Sequence, residues 1–225
     1  MEELEKQLFY LFEFIPLSPG IVLPWVITLV LAVTLFIFTR KLSTSCQTKS
    51  QATLEFLYEK LQALVMEITG KEYAKELTPI LSTIFVYILS ANLMGLVPGF
   101  KSPTSNFSNC LGLSIVVFIY TIYLGLKAHG FGYIKHFTGE IWWMAPIMLP
   151  IHIVGEISHP ISLTLRLFGN IMGEDTVIIV LTTSLFPLLL PLPMMCLSVF
   201  SGCLQALVFT ILSGIYFASA LNEAH

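Results

Sequence analysis

Charge is what this chain most lacks: only 11% of its 225 residues are charged, against 56% hydrophobic. Ordinary soluble domains carry about 25% charged residues, so the chain cannot cover a folded body with a water-facing surface. Eleven Lys and Arg against fourteen Asp and Glu leave a net charge of −3 and no basic footprint for nucleic acid. The four cysteines, Cys46, Cys110, Cys196 and Cys203, show no CxxC spacing. The last two stand about 10 Å apart on one helix, too far for a disulfide, and all four read as free thiols. There is neither a glycine-rich phosphate-binding loop nor an HExxH motif. Glu2, Glu3 and Glu5 replace the positive start of a secretory signal, and no cleavage is expected. Alternating strands are missing too, which excludes an outer-membrane barrel and leaves helices to satisfy the backbone in lipid.

What is present is a series of long apolar runs, with a mean hydropathy of +0.84. The pattern predicts an all-α, polytopic membrane protein forming a single membrane domain over 1–225, with about three near-upright spans, an interfacial amphipathic helix and a C-terminal hairpin of two long tilted helices. Leu4, Leu8, Leu11 and Ile15 suggest a surface helix over 1–15, and a first span covers 21–38 before Arg40 and Lys41. Over 53–69, Leu54, Leu57, Leu61, Leu64 and Ile68 recur in steps of three and four with charges between them, which reads as a helix in the headgroup layer. Further spans cover 77–97, ending at Pro98, and 110–126. Lys127, His129, Lys135 and His136 follow, with Trp142 and Trp143 placed like an aromatic belt; the positive-inside rule puts this loop inside and the N-terminus outside.

Residues 142–185 would make roughly 66 Å of helix, about twice the hydrocarbon thickness. No charged or turn-rich loop divides the stretch, so it either lies strongly oblique or breaks in the membrane at Pro146, Pro150 or Pro160. Residues 188–221 are overlong as well, and Pro187, Pro191 and Pro193 mark a tight corner between the two. A pair tilted this far must wrap against a large partner in the membrane.

Arg166 stands inside the first of these runs. An arginine at a helix centre costs roughly 2.5–3.5 kcal/mol on insertion scales and cannot neutralise itself, so it faces a partner or a wet cavity, which points to ion movement. With Arg166 at zero and about 100° per residue, His159 falls near 20°, His152 and Asn170 near 40°, and Glu156 and Glu174 near 80°, whereas Asp175 points to the opposite face. On the following helix Ser198, Ser201, Gln205, Tyr216, Ser219 and Glu223 form a second polar stripe, suited to face the first. Taken alone, its serines, Tyr216 and Gln205 read as interhelical hydrogen-bonding groups. The spacing of His152, Glu156 and His159 also admits a metal site, although no fourth ligand is evident and titratable groups with water would serve equally as a proton relay.

The stretch Ser162-Leu163-Thr164-Leu165-Arg166-Leu167-Phe168-Gly169-Asn170 resembles the signature of subunit a of the F-type ATP synthases around its essential arginine. Asn92-Leu93-Met94-Gly95-Leu96-Val97-Pro98 and Leu204-Gln205-Ala206-Leu207-Val208-Phe209-Thr210 agree with the same family, and the similarity runs from the first span to the C-terminus. The resemblance implies an ion-translocating stator in which Arg166 faces a rotating ring of c subunits. It also implies peripheral-stalk b subunits and the rest of the synthase as partners, in a bacterial inner membrane in preference to an organelle membrane, with no cofactor or metal of its own and with ATP chemistry left to the soluble sector. An outer proton half-channel would use Asn92, Asn170, Glu174, Asp175 and Gln205, and an inner one His152, Glu156 and His159. Many relatives titrate nine residues after the arginine, where this chain has Asp175; the helical phase favours Glu174 instead. Ser198 stands where some members have histidine. Rival expectations are a sodium-driven version of the same subunit, a transporter using Arg166 for an anion, and an intramembrane hydrolase built on His152, Glu156 and His159. The transporter would predict internal repeats in matching halves, which the sequence does not display.

Overall fold

The computed structural model describes residues 19–40, 49–96, 102–130, 145–182 and 191–222, and apart from turns and one 3₁₀ turn these are α-helical with no strand among them. The expected surface helix over 1–15, the segment holding Lys41 and Cys46, Pro98, the loop with Lys135, His136, Trp142 and Trp143, the corner at Pro187, and Glu223 lie outside the described residues.

Helix α1 (Pro19–Arg40) is apolar on all sides, and Ile27 is its one buried side chain among those described, which suits a helix facing lipid. Helix α2 (Lys49–Met94) turns a corner at Gly70, whose φ of 80° and ψ of 163° only glycine adopts readily. The corner falls just past the amphipathic 53–69 stretch. In that arm Leu61, Val65 and Thr69 are buried while Phe56, Leu57 and Tyr58 are exposed. Beyond the corner Ala74, Leu77, Thr78, Leu81, Ile84 and Ile88 are buried at helical spacing.

The 3₁₀ turn Pro103–Ser105 leads into α3 (Phe107–His129). Asn106 caps α3, accepting from Ser108 N, and Gly130 (φ 56°) closes it by donating to Leu126 O at 2.8 Å. Cys110, Ser114, Val117, Thr121 and Leu124 form its buried seam. Helices α4 (Ala145–Thr182) and α5 (Pro191–Asn222) complete the bundle. Despite Pro150 and Pro160, α4 runs on as one helix of 38 residues. At roughly 57 Å it is longer than a hydrocarbon core is thick, and the expected break at Pro150 or Pro160 does not occur.

Lipid tails are as apolar as the side chains, so burial from water does not hold these helices together; close packing and hydrogen bonds do. Phe209 and Phe217 of α5 are fully enclosed, and Tyr120 of α3 meets Phe217 edge-on at 5.1 Å. Glycines let backbones approach: a Cβ on Gly202 would stand 3.2 Å from the Asn92 Cβ, and one on Gly214 3.3 Å from Ile68 Cγ2. Six buried hydroxyls, those of Thr78, Ser114, Thr121, Thr164, Thr210 and Ser213, are satisfied within their own helices, each donating to the carbonyl four residues earlier. Three helices (in α2, α3 and α5) are long and apolar enough to cross a membrane, Pro24–Ile37 forms a shorter apolar stretch, and α4, carrying Glu156, Arg166, Glu174 and Asp175, does not meet that measure. The chain is an all-α polytopic membrane protein.

Candidate functional site

The polar stripes of α4 and α5 meet along one seam. Ser198 Oγ donates to Glu174 Oε2 at 2.7 Å, Asn170 Nδ2 donates to Ser201 Oγ at 2.7 Å, and the His159 ring stacks on Tyr216 with centroids 4.2 Å apart and planes at 12°. Positions fall on α5 as they rise on α4, so the helices run antiparallel and this register sets Gln205 level with Arg166. Gln205 is buried, and its Nε2 has no hydrogen-bond partner among the described residues.

Arg166 is exposed and makes no ion pair or hydrogen bond among the described residues, although Tyr216 lies within its electrostatic reach. Its surroundings on α4 are small. Gly155, Ser158, Ser162, Gly169, Gly173 and Thr176 are all exposed at spacings of three and four, and a Cβ on any of these glycines would meet nothing within 4 Å. The guanidinium therefore rises from a smooth lane that another helix could approach closely.

On the side toward the α4–α5 corner, Glu174 and Asp175 are both half-buried, so exposure does not separate them. Hydrogen bonding does: Glu174 is held against α5 by Ser198, while Asp175 makes no hydrogen bond among the described residues. Asn92 is enclosed and engaged at both ends of its amide, Nδ2 donating to Gly202 O at 3.1 Å and Oδ1 accepting from Thr104 Oγ1 at 2.8 Å. Ser102 Oγ donates to Ala91 O at 3.0 Å and extends this clasp. It packs so closely that a Cβ on Gly95 would come within 2.8 Å of the Ser102 Cβ.

Toward the other end, His159 Nδ1 lies 3.9 Å from Glu156 Oε2. Both line a cleft of about 10 Å³, shared with Tyr216 of α5 and with Ser114 and Thr121 of α3. His152 sits half-buried one turn before Glu156. The three residues are not gathered as metal ligands, since among the described residues no three His, Cys, Asp or Glu side chains are placed to hold an ion. Ser102, Thr104, Ser114 and Thr121 escaped the sequence reading. The seven-residue spacing of Ser114 and Thr121 on one face of α3 was the available signal.

A family model described as ATP synthase A chain matches residues 21–218. The chain is similar to a Trichlorobacter lovleyi protein named ATP synthase subunit a, 41% identical over 92% of this chain and 88% of the relative. Proteins of the same name from Desulfosudis oleivorans and Geobacter sulfurreducens are each 40% identical, over 92% of this chain and 90% of the relative. With a family match running from the first helix nearly to the end of the last and relatives about 40% identical over 92% of its length, the chain belongs to the ATP synthase A chain family.

Proposed function

We propose that this chain is the stator of a proton-driven F-type ATP synthase in a bacterial inner membrane, held by peripheral-stalk b subunits, with Arg166 facing a ring of c subunits. The observation that carries the reading is the position of Arg166: a permanent charge with no counter-charge among the described residues, exposed on a lane of small side chains. Such a charge favours the ionised form of a carboxylate brought up to it. An arriving ring carboxylate gives up its proton before it passes, and must regain one on the far side. The same charge repels a proton moving straight across, so flow requires rotation.

The seam supplies a path on each side. The outer one uses Glu174 as its titrating group, with Asp175, Asn170 and Gln205 beside it and Asn92 building its wall. The inner one uses His152, Glu156 and His159. Substituting Arg166→Ala in membranes of the assembled complex tests the reading. Coupled ATP synthesis is expected to vanish while hydrolysis by the soluble sector survives; normal coupled turnover would refute it.

A further inference from the structure

The Glu156–His159 pair sits at a separation that direct contact does not explain. At 3.9 Å, Nδ1 and Oε2 are too far apart for a hydrogen bond. One water seated beside the pair, in the cleft of about 10 Å³ that both line, reaches both atoms, and the cleft has room for about one. A one-water bridge works only if the imidazole keeps a fixed plane, because a modest turn about its side-chain torsions would carry Nδ1 away from the carboxylate. The fixing contact comes from α5. Tyr216 lies flat on His159 at 4.2 Å and 12°, and its hydroxyl makes no hydrogen bond among the described residues. The ring face, not the phenol, is therefore the part in use.

Charged or titratable groups facing the imidazole are Glu156 on its own helix and Tyr216 on α5, with Arg166 acting on the latter. From α3 the cleft receives Ser114 and Thr121, whose hydroxyls are already donated to Cys110 O and Val117 O. Neither competes for the histidine's proton.

Resting on the inner path proposed above, we infer that Tyr216 is a positioning residue of that path, holding the His159 ring so that one water links Nδ1 to Glu156. In the transfer, imidazolium Nδ1–H gives its proton to the water, which passes one of its own to the Glu156 carboxylate. Cation and anion become two neutral groups, and the water is regenerated.

The test is passive proton flux through the membrane sector of the assembled complex after the soluble sector is stripped, normalised to the amount of subunit present. Misplacement by about 1 Å can cost a positioned group up to ~100-fold, and Tyr216→Leu, which keeps apolar bulk but loses the flat face, is expected to lower flux about tenfold. Tyr216→Phe, which keeps the face, should retain most of the flux. In a His159→Gln background Tyr216→Leu should cause no further loss, because nothing remains to be positioned. The inference is overturned by wild-type flux in Tyr216→Leu, by equal losses in the Phe and Leu variants, or by an undiminished effect of Tyr216→Leu in the His159→Gln background. Full flux in His159→Gln alone would remove the inner path together with this inference and leave the assignment of Arg166 standing.

Discussion

Arg166, Asn170 and Glu174 follow one another at intervals of four on α4, yet they meet different surroundings. Asn170 and Glu174 each bond a serine of α5, whereas Arg166 stays open. The drift of about 40° per four residues explains the divergence, since it turns successive side chains from the exposed lane into the seam. Glu174 is thereby the acid embedded in the seam, and Asp175 lies off it. Replacing Glu174 by Gln removes a titrating group whose kind contributes roughly 10²–10⁴-fold in proton-transfer steps, so proton-driven synthesis should fall by at least about tenfold. Ser198→Ala removes one hydrogen bond and leaves the titrating group in place; a loss of no more than about fivefold is expected from a bond worth about 1 kcal/mol. Equal rates in the two variants would reject the assignment. The shared stripe of Arg166, Asn170 and Glu174 was legible in sequence because helical phase is a local property. Ser102, Thr104, Ser114 and Thr121 were not, since a hydroxyl in an apolar run reveals nothing about the element it will face.

At the scale of elements, the amphipathic 53–69 stretch and the seam between α4 and α5 follow from local pattern, but the corner of α2 at Gly70 and the clasp joining α2 to α5 do not. Asn92 and Gly202 are far apart in sequence, and only packing shows that the missing Cβ of Gly202 lets the Asn92 amide reach its carbonyl. Asn92 read alone resembles a channel-lining amide; with both ends engaged it is a tie between helices. Asn92→Ala should therefore destabilise the detergent-solubilised protein by about 1–2 kcal/mol, allowing two buried hydrogen bonds the modest worth such bonds have between membrane helices. Gly202→Val should do more damage, because its side chain would overlap Asn92 and overpacking typically costs about 1–3 kcal/mol beyond the lost bond. Thermal unfolding of the two variants checks the order. Flux per assembled complex should change far less in Asn92→Ala than in Glu174→Gln; a matching loss would give Asn92 a part in the transfer itself and not only in the wall of the path. The unbroken α4 is an element-scale result as well, as composition left oblique and broken arrangements equally open.

For the whole molecule, the decisive surface is the one this chain leaves uncovered. Three glycines, two serines and a threonine flank Arg166 on the exposed side of α4, and no described residue comes within 4 Å of a Cβ placed on those glycines. Lipid would accept bulky residues there as readily as small ones, whereas a rotor passing within helix-packing distance, about 8–10 Å between axes, would not. Gly169→Leu separates these cases. A Cβ there meets nothing within 4 Å among the described residues, and replacing glycine in a helix is worth roughly 0.5–1 kcal/mol in favour of folding, so subunit levels and thermal stability should hold or rise. Coupled synthesis should nevertheless collapse, because the added side chain stands one turn from Arg166 in the rotor's track. Gly112→Leu on α3 is the matched comparison: its Cβ also meets nothing within 4 Å, but it stands on the exposed side of α3 rather than on α4 and should leave synthesis intact. If both variants synthesise ATP normally, the lane faces lipid and the ring must approach this subunit from another side.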